Sequence, residues 1–229
     1  MLGCRDLPTP ETQVAGGTID PTAVPAATGS QAPANPALAC VLTPRQTEGP
    51  FYFDPRQIRR NITEGRPGTP LQVAFQVVEA GTCRPIQDAL VDIWHTDAAG
   101  VYSGYARQGE RGDVDASGKT FLRGSQITAA NGMVQFESIY PGWYPGRAVH
   151  IHFKVRFANR TAVTSQLYFP DEVTDRAYAA APYNQRPQGW TTNATDGVLR
   201  GSPADQSLLA AVAAAGAGYR ASLTIGIAP

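Results

Sequence analysis

Hydrophobic and polar positions alternate in short runs along this chain, and glycine, proline and asparagine fill the gaps between them. The segment Leu71-Gln-Val-Ala-Phe-Gln-Val-Val78 shows the pattern most clearly. A period of two places one set of side chains on each face of a strand, so such a run predicts a strand with a buried face. Six further runs rich in Val, Ile, Phe and Tyr read the same way: Ala89–Trp94, Phe121–Ile127, Met133–Ile139, Ala148–Phe157, Ser165–Phe169 and Tyr219–Ile227. Seven short strands with turn signals between them predict an all-β fold, an antiparallel β-sandwich or barrel. Short helices are expected at Asp171–Ala179 and at Pro203–Ala215, where Asp205 would favour the first turn of the second.

Residues 5–38 break the pattern, being rich in Pro, Ala, Thr, Gly and Gln with no apolar period. A segment of that composition cannot bury enough surface to offset its chain entropy. It predicts a disordered N-terminal tether over residues 1–38, followed by one domain over 39–229. The 229 residues suit a single domain of that size plus a tail. No internal repeat and no second domain are apparent.

Charge narrows the function classes. The chain has 19 basic and 19 acidic residues and no net charge, which argues against a nucleic-acid-binding surface or an electrostatic membrane binder. No run of about 18 apolar residues predicts a spanning helix. Met1-Leu-Gly-Cys4 resembles the end of a bacterial lipoprotein cleavage site, which would make Cys4 a lipid-bearing residue; the alternative is an ordinary thiol near a flexible end. Cys40 and Cys83 both lie just outside predicted strands. A bond between them would stabilise the fold by at most ~4 kcal/mol in the chain-entropy account and would require an oxidising compartment. Export to the periplasm or the extracellular space is therefore expected. Asn61, Asn159 and Asn193 open Asn-x-Thr sequons, which matter only in a host that glycosylates.

The chemistry concentrates in a few residues. Only three histidines occur, and two form His150-Ile-His152. Chance would give that spacing about 0.04 times in such a chain. On a strand the two imidazoles share a face about 6.5 Å apart, so their nitrogens can converge on one metal. Imidazole alone suits Zn, Cu, Fe or Ni. No cysteine lies close in sequence, and no Asp or Glu lies within ten residues on the same predicted element. The turn before the pair, Tyr140-Pro-Gly-Trp-Tyr144-Pro-Gly-Arg147, instead offers tyrosines. Phenol is a poor ligand until a highly charged cation lowers its pKa, after which phenolate is a strong, hard one. A site rich in tyrosine and poor in carboxylate would select ferric iron over zinc. The alternative is that Tyr140 and Tyr144 are turn and core aromatics.

Together, Trp94-His-Thr-Asp-Ala-Ala-Gly-Val-Tyr102 and Pro141-Gly-Trp-Tyr144…Arg147-Ala-Val-His150-Ile-His152 resemble the intradiol ring-cleavage dioxygenases. Thr47-Glu-Gly-Pro-Phe-Tyr52 is similar to the segment that opens that family's catalytic core, and Ser165–Phe169 to the strand after its His-x-His. The resemblance spans about residues 40–228. It implies an intradiol-type sandwich in which Tyr102, Tyr144, His150 and His152 hold Fe(III). It also implies that Tyr144 is the tyrosine that leaves when substrate binds, with Tyr140 as fallback. Arg147 would stabilise charge on the substrate, and Gln166 would be a pocket glutamine near the iron. The implied reaction uses dioxygen to cleave a catechol-type ring between its hydroxyl-bearing carbons, giving a muconate-type diacid. Trp94 is expected in the core or lining the pocket, His95 on the surface or behind the ligands, and Tyr105 near the site mouth. The rivals are an exported β-sandwich binding module with a metal-free His-x-His and a copper or zinc hydrolytic site.

Overall fold

A computed structural model describes residues 41–187, 189–202 and 205–228. Eight strands are present: β1 (Pro70–Glu79), β2 (Leu90–Trp94), β3 (Arg123–Ile127), β4 (Met133–Ile139), β5 (His150–Phe157), β6 (Arg160–Tyr168), β7 (Ala211–Ala215) and β8 (Gly218–Ile227). They form two four-stranded sheets, ordered β4-β1-β8-β7 and β3-β2-β5-β6. The sandwich follows from the alternation. Val73, Phe75 and Val77 of β1 and Ile151, Phe153 and Val155 of β5 are wholly buried, and Phe75 meets Phe153 with ring centroids 5.3 Å apart. The expected tether over 1–38 lies outside the described residues.

Three details differ from the sequence reading. The pair β1–β8 is parallel, while the other neighbours are antiparallel. The described part of Pro203–Ala215 is not an α-helix: Asp205–Leu208 makes a 3-10 turn and Ala211–Ala215 is strand β7. Alanine has high helix propensity, but pairing with β8 from Ala211↔Ser222 to Ala215↔Gly218 outweighs so short a local preference. Helix α1 (Asp171–Tyr178) does form, and one-turn helix α2 (Gly197–Arg200) is capped by Asp196, whose side chain accepts from the Val198 and Leu199 amides. No described helix is long and apolar enough to cross a membrane.

Strand parity decides where the chemistry sits. Because Ile151, Phe153 and Val155 face the other sheet, His150, His152 and Lys154 project from the outer face of β5. They are nonetheless buried, because residues 46–53 cross that face. Gln46 N–H donates to Thr164 O (3.0 Å), Tyr52 Oη donates to Asp92 Oδ2 (3.1 Å), and the Tyr52 ring lies 4.7 Å from Trp94. The Lys154 amine stands 3.5 Å above the Tyr52 ring and pairs with Glu48. Cys83 is disulfide-bonded; Cys40, its expected partner, lies outside the described residues, as does Cys4.

Candidate metal centre

Two loops bring tyrosines to the histidine strand. The first leaves β2 and is tightened by Asp97, whose Oδ1 accepts from Ala99 N–H (3.0 Å) and Val101 N–H (3.1 Å). The second is the turn after β4, and the two loops are joined. Thr96 Oγ1 donates to Gly142 O (2.6 Å), and Gly142 N–H donates to Asp97 O (3.0 Å). Gly100 allows the approach: its φ is +78°, and a Cβ there would stand 2.2 Å from Trp143 O. Gln108 fixes the end of the first loop, its Oε1 accepting from Tyr102 N–H (3.2 Å).

Four donor atoms meet as a result. His150 Nε2 lies 3.1 Å from His152 Nε2, 3.1 Å from Tyr144 Oη and 3.5 Å from Tyr102 Oη. The His150 Nδ1–H donates to Ala148 O (2.6 Å), a partner that leaves Nε2 as a lone pair facing the cluster. Two ligands held about 2.1 Å from one ion at right angles to tetrahedral spacing stand about 3.0–3.4 Å apart. The observed separations match that edge length closely, so the residues fit a metal ion. Among the described residues no group of three or more His, Cys, Asp and Glu side chains is placed to hold one. The donor set is therefore two phenols and two imidazoles, hard and carboxylate-free, which suits a trivalent ion.

Burial sets the protonation. It pushes His150 down to about 3, aided by the Arg147 charge, and pushes His152 down likewise, so both are neutral lone-pair donors at neutral pH. It pushes the Tyr102 and Tyr144 hydroxyls up, an effect the Arg147 cation partly offsets at Tyr144. Without a cation, both tyrosines stay protonated. The two also differ in access. Tyr102 is buried behind the Phe51 ring, stacked at 4.8 Å, whereas half-buried Tyr144 lines a pocket of about 160 Å³ shared with Phe51, Pro145, Arg107, Glu110 and Arg186.

Arg147 is fixed from both sides. Its Nε donates to Asp196 Oδ2 (2.9 Å), and its Nη2 donates to Gln166 Oε1 and to Tyr168 Oη (3.0 Å). Gln166, paired with His152 across β5–β6, also donates from Nε2 to Thr47 O (3.1 Å). Asp196 further accepts from Ala148 N–H (2.7 Å). Burial acts to raise Asp196, but the Leu199 and Ala148 amides and the Arg147 charge outweigh it and hold the carboxyl below the usual range.

Tyr102, Tyr144, Arg147, His150, His152 and Gln166 thus all reach one place. The fallback Tyr140 does not: its hydroxyl bonds Thr174 Oγ1 (2.8 Å) in a separate aromatic cluster with Phe169, Tyr178 and Tyr183. Trp94 is buried and flat against His152, 4.9 Å away at 6°. His95 is not on the surface. It is fully buried between the sheets, with Nε2 against Ser138 Oγ (2.7 Å), because its opposite parity to Trp94 turns it inward. Tyr105 stands one ring away from the cluster, edge-on to Phe51. The sequence reading missed Asp196 and Tyr168. Asp196 carried a signal as a helix-capping residue before Gly197-Val-Leu-Arg200, but none that tied it to Arg147.

The chain is similar to known proteins of one enzyme family. A family model described as dioxygenase matches residues 47–191, a span that holds all four donor residues. An intradiol ring-cleavage dioxygenase from Tetranychus urticae has a similar structure, with TM-score 0.75 and 32% identity over 83% of this chain and 96% of its own. The dioxygenase domain of a dioxygenase–carbohydrate-binding fusion from Streptomyces sp. SirexAA-E shares 31% identity over 81% and 97%, with TM-score 0.59. The protocatechuate 3,4-dioxygenase beta chain of Burkholderia cepacia is 29% identical over 135 residues, 54% of each protein. The chain spans about half the length of the curated relatives it matches. With its sandwich, its Tyr₂His₂ cluster and these likenesses, the chain belongs to the intradiol ring-cleavage dioxygenase family.

Proposed function

We propose that this protein uses Fe(III), held by Tyr102, Tyr144, His150 and His152, to cleave a catechol-type ring with dioxygen between the two hydroxyl-bearing carbons. The observation that carries this reading is the convergence of two tyrosine oxygens and the neutral His152 Nε2 within 3.1–3.5 Å of the equally neutral His150 Nε2. When bound, ferric iron supplies a Lewis acid and an electron sink that make a catecholate reactive towards dioxygen. The product gains both oxygen atoms and loses one carbon–carbon bond, which gives a muconate-type diacid without an external reductant.

The chain's own residues divide the remaining work. Tyr144 lies on the pocket side, so it is the ligand that substrate can displace, and its phenolate is a base within reach of a substrate hydroxyl proton. Tyr102, sealed behind Phe51, stays in place. Arg147 offers fixed positive charge where anionic character develops, and Gln166, Tyr168 and Asp196 hold it there. Phe51 and Pro145 provide apolar walls against a substrate ring. The same reading places the protein in an exported, periplasmic or extracellular setting, with Cys4 as a lipid anchor; the disulfide at Cys83 supports an oxidising compartment.

Oxygen uptake by the iron-loaded protein against catechol, hydroxyquinol and protocatechuate, with product spectra, tests the proposal. Stoichiometric oxygen consumption with a diacid product is expected for at least one of them. A fully iron-loaded protein that consumes no oxygen with any of them would remove the enzymatic reading.

A further inference from the structure

The pocket beside Tyr144 is small, and most of the polar groups around it are already occupied. Its volume of about 160 Å³ admits little more than one benzene ring, which a cavity of about 150 Å³ accepts. Any substituent on such a ring must lie towards the rim. Of the polar walls, Gln108 accepts from Tyr102 N–H (3.2 Å) and donates to Ala106 O (3.3 Å). Arg186 donates to Trp143 O (2.8 Å), lies 4.2 Å from the centre of the Trp143 ring and pairs with Glu110 (2.9 Å), so these two opposite charges cancel. Arg107 is different. It lines the same pocket, is exposed, and forms no ion pair among the described residues. The pocket therefore keeps one uncompensated positive charge.

The backbone presents that charge from a fixed loop. Gln108 N–H donates to Val114 O (2.8 Å) and Val114 N–H donates back to Gln108 O (3.0 Å), which closes the loop after Arg107. The Gln108 side chain ties the same loop to Tyr102. Arg107 itself has φ +56°, a left-handed conformation that a residue with a side chain adopts only at a cost. Strain of this kind persists where the surroundings over-determine it, and it recurs beside binding sites. We propose that Arg107 is a specificity-determining residue that receives an anionic substituent of the substrate ring, so that the pocket selects single-ring catechols bearing a carboxylate over uncharged ones. A ring whose two hydroxyls point to the donor cluster directs its opposite edge to the rim. A guanidinium there matches the paired oxygens of a carboxylate. A second fused ring exceeds the volume. The inference rests on the catechol reading above and narrows it to one substrate class.

The test compares full-length wild type, Arg107→Lys and Arg107→Met, each iron-loaded, on protocatechuate and on its uncharged amide. The amide keeps the size of the substituent and removes its charge. Wild type should show a higher kcat/KM for the acid. Arg107→Met should lower the acid-to-amide ratio by roughly fivefold to tenfold, the range for one charged contact at a partly exposed site. Arg107→Lys keeps the charge and should retain most of the ratio. A wild type without preference for the acid, or a ratio unchanged in Arg107→Met, would overturn the proposal. So would equal losses in the two variants, which would assign Arg107 to shaping the loop. A second measurement does not depend on turnover: calorimetric binding of para-hydroxybenzoate and of its amide, neither of which is a catechol, to the metal-free proteins. A wild type that consumes no oxygen with either catechol would sink the catechol reading. Binding then decides on Arg107: an acid preference lost in Arg107→Met supports its role, and the lack of any acid preference refutes it.

Discussion

Replacing Asp196 by asparagine should destabilise the metal-free protein by about 3–4 kcal/mol, and the structure shows why. Asp196 is fully buried, and its two oxygens serve two clients. Oδ1 accepts from the Val198 and Leu199 amides and caps α2. Oδ2 accepts from Arg147 Nε (2.9 Å) and Ala148 N–H (2.7 Å). Asparagine can still cap with its single oxygen, but its amide NH₂ then faces two donors. Two hydrogen bonds with charged partners are worth about 1.5–3 kcal/mol each, and breaking a buried pair by removing one partner costs about 3–5 kcal/mol. The retained cap and local relaxation keep the expected loss in the lower half of that range. Urea unfolding should show a lower midpoint with an unchanged slope. The melting temperature should fall by roughly 6–16 °C for a domain of this size. Arg147→Met in the Asp196→Asn background should restore part of the loss, because it removes the stranded cation. A loss below about 1 kcal/mol, or strictly additive effects in the double mutant, would refute the reasoning.

Three further outcomes follow from particular contacts. His95 is buried and held down to about 4 by burial, while the unfolded chain protonates near 6.5. Its contribution is therefore complete above about pH 6.5 and is lost at about 1.4 kcal/mol per pH unit as pH falls towards 4. Urea melts of His95→Gln between those pH values should show a shallower slope than wild type, and an equal slope would contradict this. Gly49 has φ +69°, and a Cβ there would stand 3.3 Å from His152 Cε1. Gly49→Ala should cost about 1–2 kcal/mol in backbone strain and increase iron loss on dialysis; iron retention equal to wild type would show that His152 tolerates the push. Tyr140→Phe should leave visible absorption of the iron-loaded protein unchanged and cost about 1 kcal/mol through the lost Thr174 bond, whereas Tyr144→Phe should shift or lose the band. Bleaching by Tyr140→Phe would reverse the ligand assignment.

Much of the fold was legible because parity carries it. The alternation in Leu71–Val78 and the i, i+2 spacing of His150 and His152 each fix a face, and the structure keeps both. Strand β7 was not legible, since Ala211–Ala215 has helix-forming composition and becomes a strand only by pairing with β8. The direction of β8 beside β1 was equally hidden, because no local pattern records which distant strand is a neighbour. At the site, the ligand set came from a resemblance of motifs, and its choice of Tyr144 over Tyr140 agrees with their surroundings. The second layer was invisible. Asp196 and Tyr168 lie far in sequence from Arg147, which they support, and only the folded chain brings them together. The surface alternative for His95 fails because parity opposite to Trp94 turns its side chain towards the other sheet, not towards water.

In the proposed function, two tyrosine oxygens and two histidine nitrogens bind one ferric ion. Titrating metal-free protein with Fe(III) while recording visible spectra tests it most directly. A phenolate-to-iron absorption that saturates at one iron per chain is expected, and it should be absent from His150→Ala and His152→Ala. A protein that stays colourless when it holds iron, or whose colour survives loss of both histidines, would contradict it.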